Sequence, residues 1–106
     1  MDKKERAMRV LEEALELAQA SGITPPEISV IFEHVWSRPA GEVAQEHAGV
    51  MVSLLASCTA NQILLEEVTA TEIDRIWSVP LEKILEKQKM KNRAGITKYN
   101  RGEENA

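Results

Sequence analysis

The stretch from Glu42 to Ala60 constrains the fold more than any other part of this 106-residue chain. At the 100° spacing of a helix, its apolar side chains cover most of the circumference. Such a helix is normally buried, so we expect it at the centre of the fold. Carboxylates in its first turns would then be paired, hydrogen-bonded or metal-bound, because an unpartnered buried charge is costly. One narrow non-apolar stripe remains, formed by Glu42, Glu46, Gly49, Ser53, Ser57 and Ala60.

Composition indicates an ordinary globular chain and restricts its partners. The net charge of −4 gives no electrostatic reason to expect binding to nucleic acid or to a membrane surface. No signal peptide precedes the first helix and no apolar run reaches about 18 residues, so a cytoplasmic location is expected. Cys58 is the single cysteine, which excludes an internal disulfide and a cysteine-based zinc site. We expect it to be an inert core thiol.

Two helices with clear start signals precede the central one. Asp2 is a capping residue for a helix that runs to about Ala20 and stops at Ser21-Gly22. A second helix starts at Thr24-Pro25-Pro26-Glu27, with threonine as the cap and glutamate three positions later. Its apolar side continues to Trp36. The expected buried face of the first helix consists of Ala7, Val10, Leu11, Ala14, Leu17 and Ala18.

The C-terminal part predicts further helix without any strand pattern. A short apolar-acidic piece covers residues 63–68, and Thr71 is expected to cap the last helical region. Helical spacing continues through Pro80, which predicts one kinked helix or two nearly collinear segments. Residues 95–106 have almost no apolar content and are expected to form a flexible tail. The prediction is an all-α fold of four to five helices in a single domain, residues 1–94.

Two helices carry carboxylates at helical spacing. Glu12, Glu13 and Glu16 lie on the first, where a solvated acidic face is the simplest interpretation. Glu42 and Glu46 lie on the central helix. If the two stripes face each other, their oxygens would suit a hard cation, Mg²⁺ or Mn²⁺. Metal-bound water can attack a phosphate group. Of the two histidines, His34 is expected at the surface and His47 as a hydrogen-bonded core or interface residue.

The run Glu12-Glu13-Ala14-Leu15-Glu16 resembles the E-E-x-x-E motif of the MazG-like, all-α nucleoside triphosphate pyrophosphohydrolases. Glu46-His47-Ala48-Gly49 is similar to the E-x-x-D motif that follows on a second helix in that family. The resemblance covers roughly residues 6–93. It implies Mg²⁺-dependent cleavage of a nucleoside triphosphate between the α- and β-phosphates, giving a nucleoside monophosphate and pyrophosphate. It also implies a homodimer or homotetramer.

The same resemblance assigns roles to individual residues. Glu12 and Glu13 are the predicted catalytic carboxylates, and Glu13, Glu16 and Glu46 are the predicted metal ligands. The segment Lys89-Met90-Lys91-Asn92-Arg93 is similar to a family segment that contacts phosphates. The predicted phosphate contacts are Lys89, Asn92 and Arg93.

Gly49 departs from the family pattern, which has aspartate at this position. Glu42 is the natural substitute ligand because it lies one turn before Glu46 on the same stripe. Gly49 is also compatible with close approach of a neighbouring helix. The alternative function is therefore a non-catalytic, oligomeric helical protein that kept the fold and lost full metal binding.

Self-association is expected from the helix pattern itself. A central helix that is apolar all round needs covering, and aromatic residues make up only 4% of the chain. Phe32, Trp36 and Trp77 are the predicted subunit contacts, because large aromatic side chains favour interfaces.

Overall fold

The computed structural model describes residues 1–95, and apart from Gly95 the predicted flexible tail lies outside them. The described residues form five α-helices and no strand, which confirms the all-α prediction. The chain divides into two compact units. One contains Met1–Val35 and the chain from Pro80 onward, and the other contains Trp36–Val79. The helices are α1 (Lys3–Ala20), α2 (Pro25–Trp36), α3 (Val43–Ala60), α4 (Leu65–Ser78) and α5 (Leu81–Arg93).

Local capping chemistry sets the ends of α1. The Asp2 carboxylate accepts hydrogen bonds from the backbone N–H groups of Lys4 (2.9 Å) and Glu5 (3.1 Å). At the other end, Gly22 adopts the left-handed conformation, with φ of +83°. The next residue, Ile23, donates its N–H to the carbonyl of Ala18 at 2.9 Å. This is a Schellman ending, and it confirms both predicted bounds of α1.

The start of α2 is also the predicted one. Glu27 Oε1 accepts from the backbone N–H (3.0 Å) and from the hydroxyl (2.8 Å) of Thr24. The Glu27 N–H lies 3.4 Å from Thr24 Oγ1, which completes a capping box. These reciprocal bonds satisfy donors that the first turn of a helix leaves without partners.

The end of α3 repeats the geometry of the end of α1 without a glycine. Gln62 takes the left-handed position, with φ of +56°, and Ile63 donates to the Cys58 carbonyl at 2.9 Å. The chain then bends by 103° into α4. A side chain other than glycine in this conformation costs on the order of 1 kcal/mol. Glutamine therefore makes this turn less stable than glycine would.

The predicted cap at Thr71 is wrong. Thr71 lies inside α4, and its hydroxyl donates to the Glu67 carbonyl at 3.1 Å. The helix begins at Leu65, after Leu64, a residue whose side chain makes no capping hydrogen bond. The expected short piece at residues 63–68 is mostly the first turn of this longer helix. The chain does break near Pro80, with α4 ending at Ser78 and α5 starting at Leu81.

The expected burial pattern is also wrong for the single chain. None of the hydrophobic side chains among residues 1–95 is buried, and α3 contains no buried residue. The apolar face predicted for α1 is largely exposed, with Leu11 at 59%. Few helices are available in each unit, so the apolar faces exceed what one chain can cover. The partly covered positions of α1 are Glu5, Met8, Arg9, Glu12 and Ala18.

Among the described residues, no single helix is long and apolar enough to cross a membrane. Only α3 and α4 taken together, across their bend, meet that criterion by length and composition.

Candidate functional site

The carboxylates of α1 differ in environment. Glu13 and Glu16 are exposed, as expected for a solvated acidic face. Glu12 does not fit that interpretation, because its side chain is only 22% exposed. One of its oxygens, Oε1, lies 3.0 Å from Nζ of Lys91 on α5. This ion pair joins the first and last helices within one unit.

The second Glu12 oxygen, Oε2, is buried and has no hydrogen-bond partner among residues 1–95. A buried carboxylate oxygen without a partner loses its hydration and gains nothing in return. Native proteins leave few such atoms. Carboxylate oxygen is the ligand type that Mg²⁺ prefers, so Glu12 fits a hard cation chemically.

The predicted phosphate contacts lie on α5 in different environments. Lys89 and Arg93 are exposed. Asn92 is buried, at 5% exposure, and its Oδ1 accepts from Gln88 Nε2 at 3.0 Å. This hydrogen bond joins two residues of α5 that lie one turn apart. Lys91, which was not among the predicted site residues, is the member of this segment that contacts a predicted catalytic carboxylate.

Glu42 and Glu46 lie in the second unit at the start of α3. Glu42 is the residue before the helix, and its side chain makes no capping hydrogen bond. Glu46 is exposed, so the argument that burial singles it out as a ligand does not hold for the single chain. Its carboxylate folds back over Gly41, where a β-carbon would lie 2.6 Å from Glu46 Oε1. Gly41 thus leaves the space that the Glu46 side chain occupies, a role that spacing alone does not reveal.

Gly49 faces open space in this chain. A β-carbon added there meets no heavy atom of the described residues within 4 Å. The proposed role in close helix packing therefore has no counterpart among the described contacts. An aspartate side chain at this position would have room.

His47 is hydrogen-bonded, as predicted, although it is exposed and not in a core. Its Nδ1 lies 2.7 Å from the carbonyl oxygen of Val43, one turn earlier in α3. Because a carbonyl only accepts, Nδ1 carries the proton in this contact. The bond fixes the ring against its own helix.

The acidic residues do not form a complete metal site within the described chain. Among residues 1–95, no group of three or more histidine, cysteine, aspartate or glutamate side chains is placed to hold a metal ion. Glu12, Glu13 and Glu16 belong to one unit, and Glu42 and Glu46 to the other.

Comparison with known proteins assigns no relative. The sequence matches no protein-family model, and neither the curated proteins nor the solved structures contain a significant match.

Proposed function

We propose that the protein is a Mg²⁺-dependent nucleotide pyrophosphohydrolase of the MazG-like type. It would cleave a nucleoside triphosphate to the monophosphate and pyrophosphate, removing unwanted nucleotides in the cytoplasm. The observation that supports this best is the environment of Glu12. Its side chain is only 22% exposed, and one buried oxygen has no hydrogen-bond partner in the part of the chain that the structure describes. Glu12 lies within the E-E-x-x-E run, where a hard cation would supply the missing interaction.

The proposed roles follow the two acidic stretches. Bound Mg²⁺, or Mn²⁺, would neutralise phosphate charge and lower the pKa of a water molecule. Glu12 and Glu13 would orient the attacking water. Exposed Lys89 and Arg93 would hold the phosphate chain, together with Asn92. The proposed metal ligands are Glu13, Glu16, Glu46 and Glu42, and Glu12 would be a further carboxylate beside the cation.

We propose further that the active form is a homodimer or homotetramer. Each of the two units exposes large apolar side chains, among them Leu11 at 59% in one unit and Trp77 at 84% in the other. Trp36 is 72% exposed. Large apolar and aromatic side chains that are exposed in this way favour burial against another subunit.

A second function has one observation in its favour. Among the described residues, no group of three or more histidine, cysteine, aspartate or glutamate side chains is placed to hold a metal ion. This favours a non-catalytic, oligomeric helical protein. Thermal melting with and without millimolar Mg²⁺ or Mn²⁺ separates the two functions. A cation that binds only the native state raises the melting temperature by mass action. The absence of any shift would favour the non-catalytic protein.

The activity is tested with a panel of nucleoside triphosphates and separate detection of pyrophosphate and orthophosphate. We expect pyrophosphate and a nucleoside monophosphate, dependent on Mg²⁺, and no reaction with the Glu13→Gln variant. Release of orthophosphate alone would contradict cleavage between the α- and β-phosphates. If the Glu13→Gln variant had the same turnover as the natural protein, the activity would come from a contaminating enzyme.

A further inference from the structure

We propose that α1 pairs antiparallel with α1 of a second copy of this chain, so that Arg6 of each copy contacts Glu13 of the other. The inference rests on the proposed self-association and adds its surface, its orientation and its charge contacts. The apolar residues that would meet are called the α1 stripe and are Ala7, Val10, Leu11, Ala14 and Leu17.

The first observation is that α5 contacts the polar side of α1. Lys91 of α5 lies 3.0 Å from Glu12. Glu12 belongs to a group of partly covered side chains, which also contains Glu5, Met8 and Arg9. Ala14 lies about 180° around the helix from Glu5, and the α1 stripe around it is exposed, with Val10 at 51%. An amphipathic helix normally buries such a stripe, so this is the side that another helix would cover.

The second observation is the uneven charge along α1. Its first half contains four basic residues and one acidic residue, and its second half contains three acidic residues and no basic one. Cations near a helix N-terminus oppose the helix dipole, and the last turn holds no basic residue to favour it. The helix by itself therefore gains nothing from this distribution. An antiparallel copy would place the basic half of each helix beside the acidic half of the other.

One pair of side chains shows how the charges would meet. Arg6 and Glu13 are seven residues apart, so they lie two turns apart on the same side of α1, beside Val10. The Arg6 side chain is 55% exposed, and Glu13 is exposed. In a two-fold antiparallel pair the Arg6–Glu13 contact forms twice. A parallel pair would set Arg6 against Arg6 and Glu13 against Glu13, and like charges repel. The charges therefore select the antiparallel orientation.

The α1 stripe fits the same arrangement. With the two-fold axis near Val10, Ala7 of each copy would face Ala14 of the other. The distance between packed helices depends on the side chains at the contact, and these small residues would let the two helices approach closely. Val10 and Leu11 would pack beside them.

The arrangement would bring a residue of the second copy to the candidate site, because Glu13 is also a proposed metal ligand. A carboxylate has two oxygens with about four lone-pair sites. It can therefore accept a hydrogen bond from arginine and still face a cation.

The first test is a charge reversal, followed by analytical ultracentrifugation without metal or nucleotide. Arg6→Glu would set two carboxylates against each other at both contacts and should weaken self-association about tenfold. Arg6→Glu combined with Glu13→Arg recreates both contacts and should restore the natural dissociation constant. Lys87→Glu makes the same charge change at an exposed position of α5 and should leave the dissociation constant nearly unchanged.

The second test disrupts the apolar contact. Val10→Glu places a charge within the α1 stripe, and light scattering should find half the natural mass. Leu15→Glu is the matched control and should keep the natural mass. Leu15 is 41% exposed and lies about 140° around the same helix from Val10. Circular dichroism should find the natural helix content in both variants, because both positions are exposed.

Three results would overturn the proposal. One is a monomeric natural protein. Another is a dissociation constant that Arg6→Glu changes no more than Lys87→Glu, or that the double variant does not restore. The third is a Val10→Glu variant that keeps the natural mass, because the α1 stripe would then lie outside the interface.

The outcomes distinguish this proposal from the proposed activity. Nucleotide hydrolysis by an oligomer whose dissociation constant ignores Arg6 would keep the enzyme and remove this interface. An Arg6-dependent dissociation constant in a protein that hydrolyses no nucleotide would keep the interface and remove the enzyme.

Discussion

The carboxylate of Glu46 occupies the space beside Gly41, where a β-carbon would come within 2.6 Å of its Oε1. Real β-carbons essentially never approach another atom so closely, so alanine at position 41 must displace this carboxylate. The displaced atom is the end of a flexible side chain, and the cost in stability should stay within about 0.5 kcal/mol.

Gly41→Ala should therefore weaken metal binding without unfolding the protein. If Glu46 is a ligand, misplacing it should lower Mg²⁺ affinity by about tenfold, the scale of changes to residues that orient a metal ligand. Calorimetric titration and thermal melting measure the two effects. Gly49→Ala is the control, because a β-carbon there meets nothing within 4 Å. Equal Mg²⁺ affinity in both variants would argue against Glu46 as a ligand.

Glu13, Glu16 and Glu46 should behave as one functional unit. Glutamine keeps the size of each side chain and removes one negative ligand, so each single variant should lose both metal affinity and turnover. Residues that serve one metal are strongly non-additive. Steady-state kinetics should therefore find the double variants little worse than the worst single one. Independent, multiplicative losses would show that these carboxylates do not share an ion.

The capping box of α2 should make stability depend on acid pH. The backbone N–H of Thr24, and then its hydroxyl, donate to Glu27 and hold the pKa of that carboxyl below its ordinary value. A lowered pKa in the folded state stabilises the fold above the unfolded-state pKa, about 4.3. This contribution is lost as the pH falls from there through the lowered value.

Melting curves of Glu27→Gln and the natural protein should therefore converge as the solution becomes acidic. Glutamine still offers an acceptor oxygen but does not titrate. A difference in melting temperature that stays constant from neutral pH to below pH 4 would contradict the role of the ionised carboxylate.

Helix bounds were predictable wherever a side chain caps the helix. The contacts at these helix ends span only a few residues, so spacing in the sequence predicts them directly. They involve Asp2, Thr24 and Gly22. The start of α4 lacks such a signal, because Leu64 makes no side-chain capping bond. The acidic pair Glu66 and Glu67 in its first turn was the available clue, since carboxylates favour helix N-termini.

The candidate site was less predictable because its contacts are long-range. Spacing identified Glu12 as one of a group of carboxylates, but nothing local shows that Lys91 would reach it. The prediction that α3 is buried was wrong for a related reason. Its apolar pattern predicts that other helices cover it, but the pattern does not indicate whether those helices belong to the same chain.

Trp77 should lie in a subunit interface. It is 84% exposed in the single chain, and transferring so large a ring from water to an interface is strongly favourable. Trp77→Glu should reduce the mass measured by light scattering at micromolar concentration and lower the melting temperature. Thr71→Glu adds the same charge about 120° around α4 and is the control. A natural protein that is already monomeric would contradict the oligomer.

Gly49→Asp tests the metal site at the position where the chain departs from the MazG-like pattern. The space around Gly49 is open, so aspartate should fit without a clash. Replacing a mid-helix glycine should gain about 0.3 kcal/mol of helix propensity, a rise of roughly 1–2 °C in melting temperature.

With Mg²⁺ present, the shift in melting temperature should be larger for Gly49→Asp than for the natural protein, because the new carboxylate lies one turn after Glu46. If Glu42 now fills the vacant position, Glu42→Gln should strongly weaken Mg²⁺ binding in the natural protein. The same substitution should weaken Mg²⁺ binding less when it is combined with Gly49→Asp. The opposite result is equally informative. A Gly49→Asp variant whose melting temperature is several degrees lower and does not respond to Mg²⁺ would indicate that the aspartate is buried against another subunit. That result would count against a metal site on this stripe.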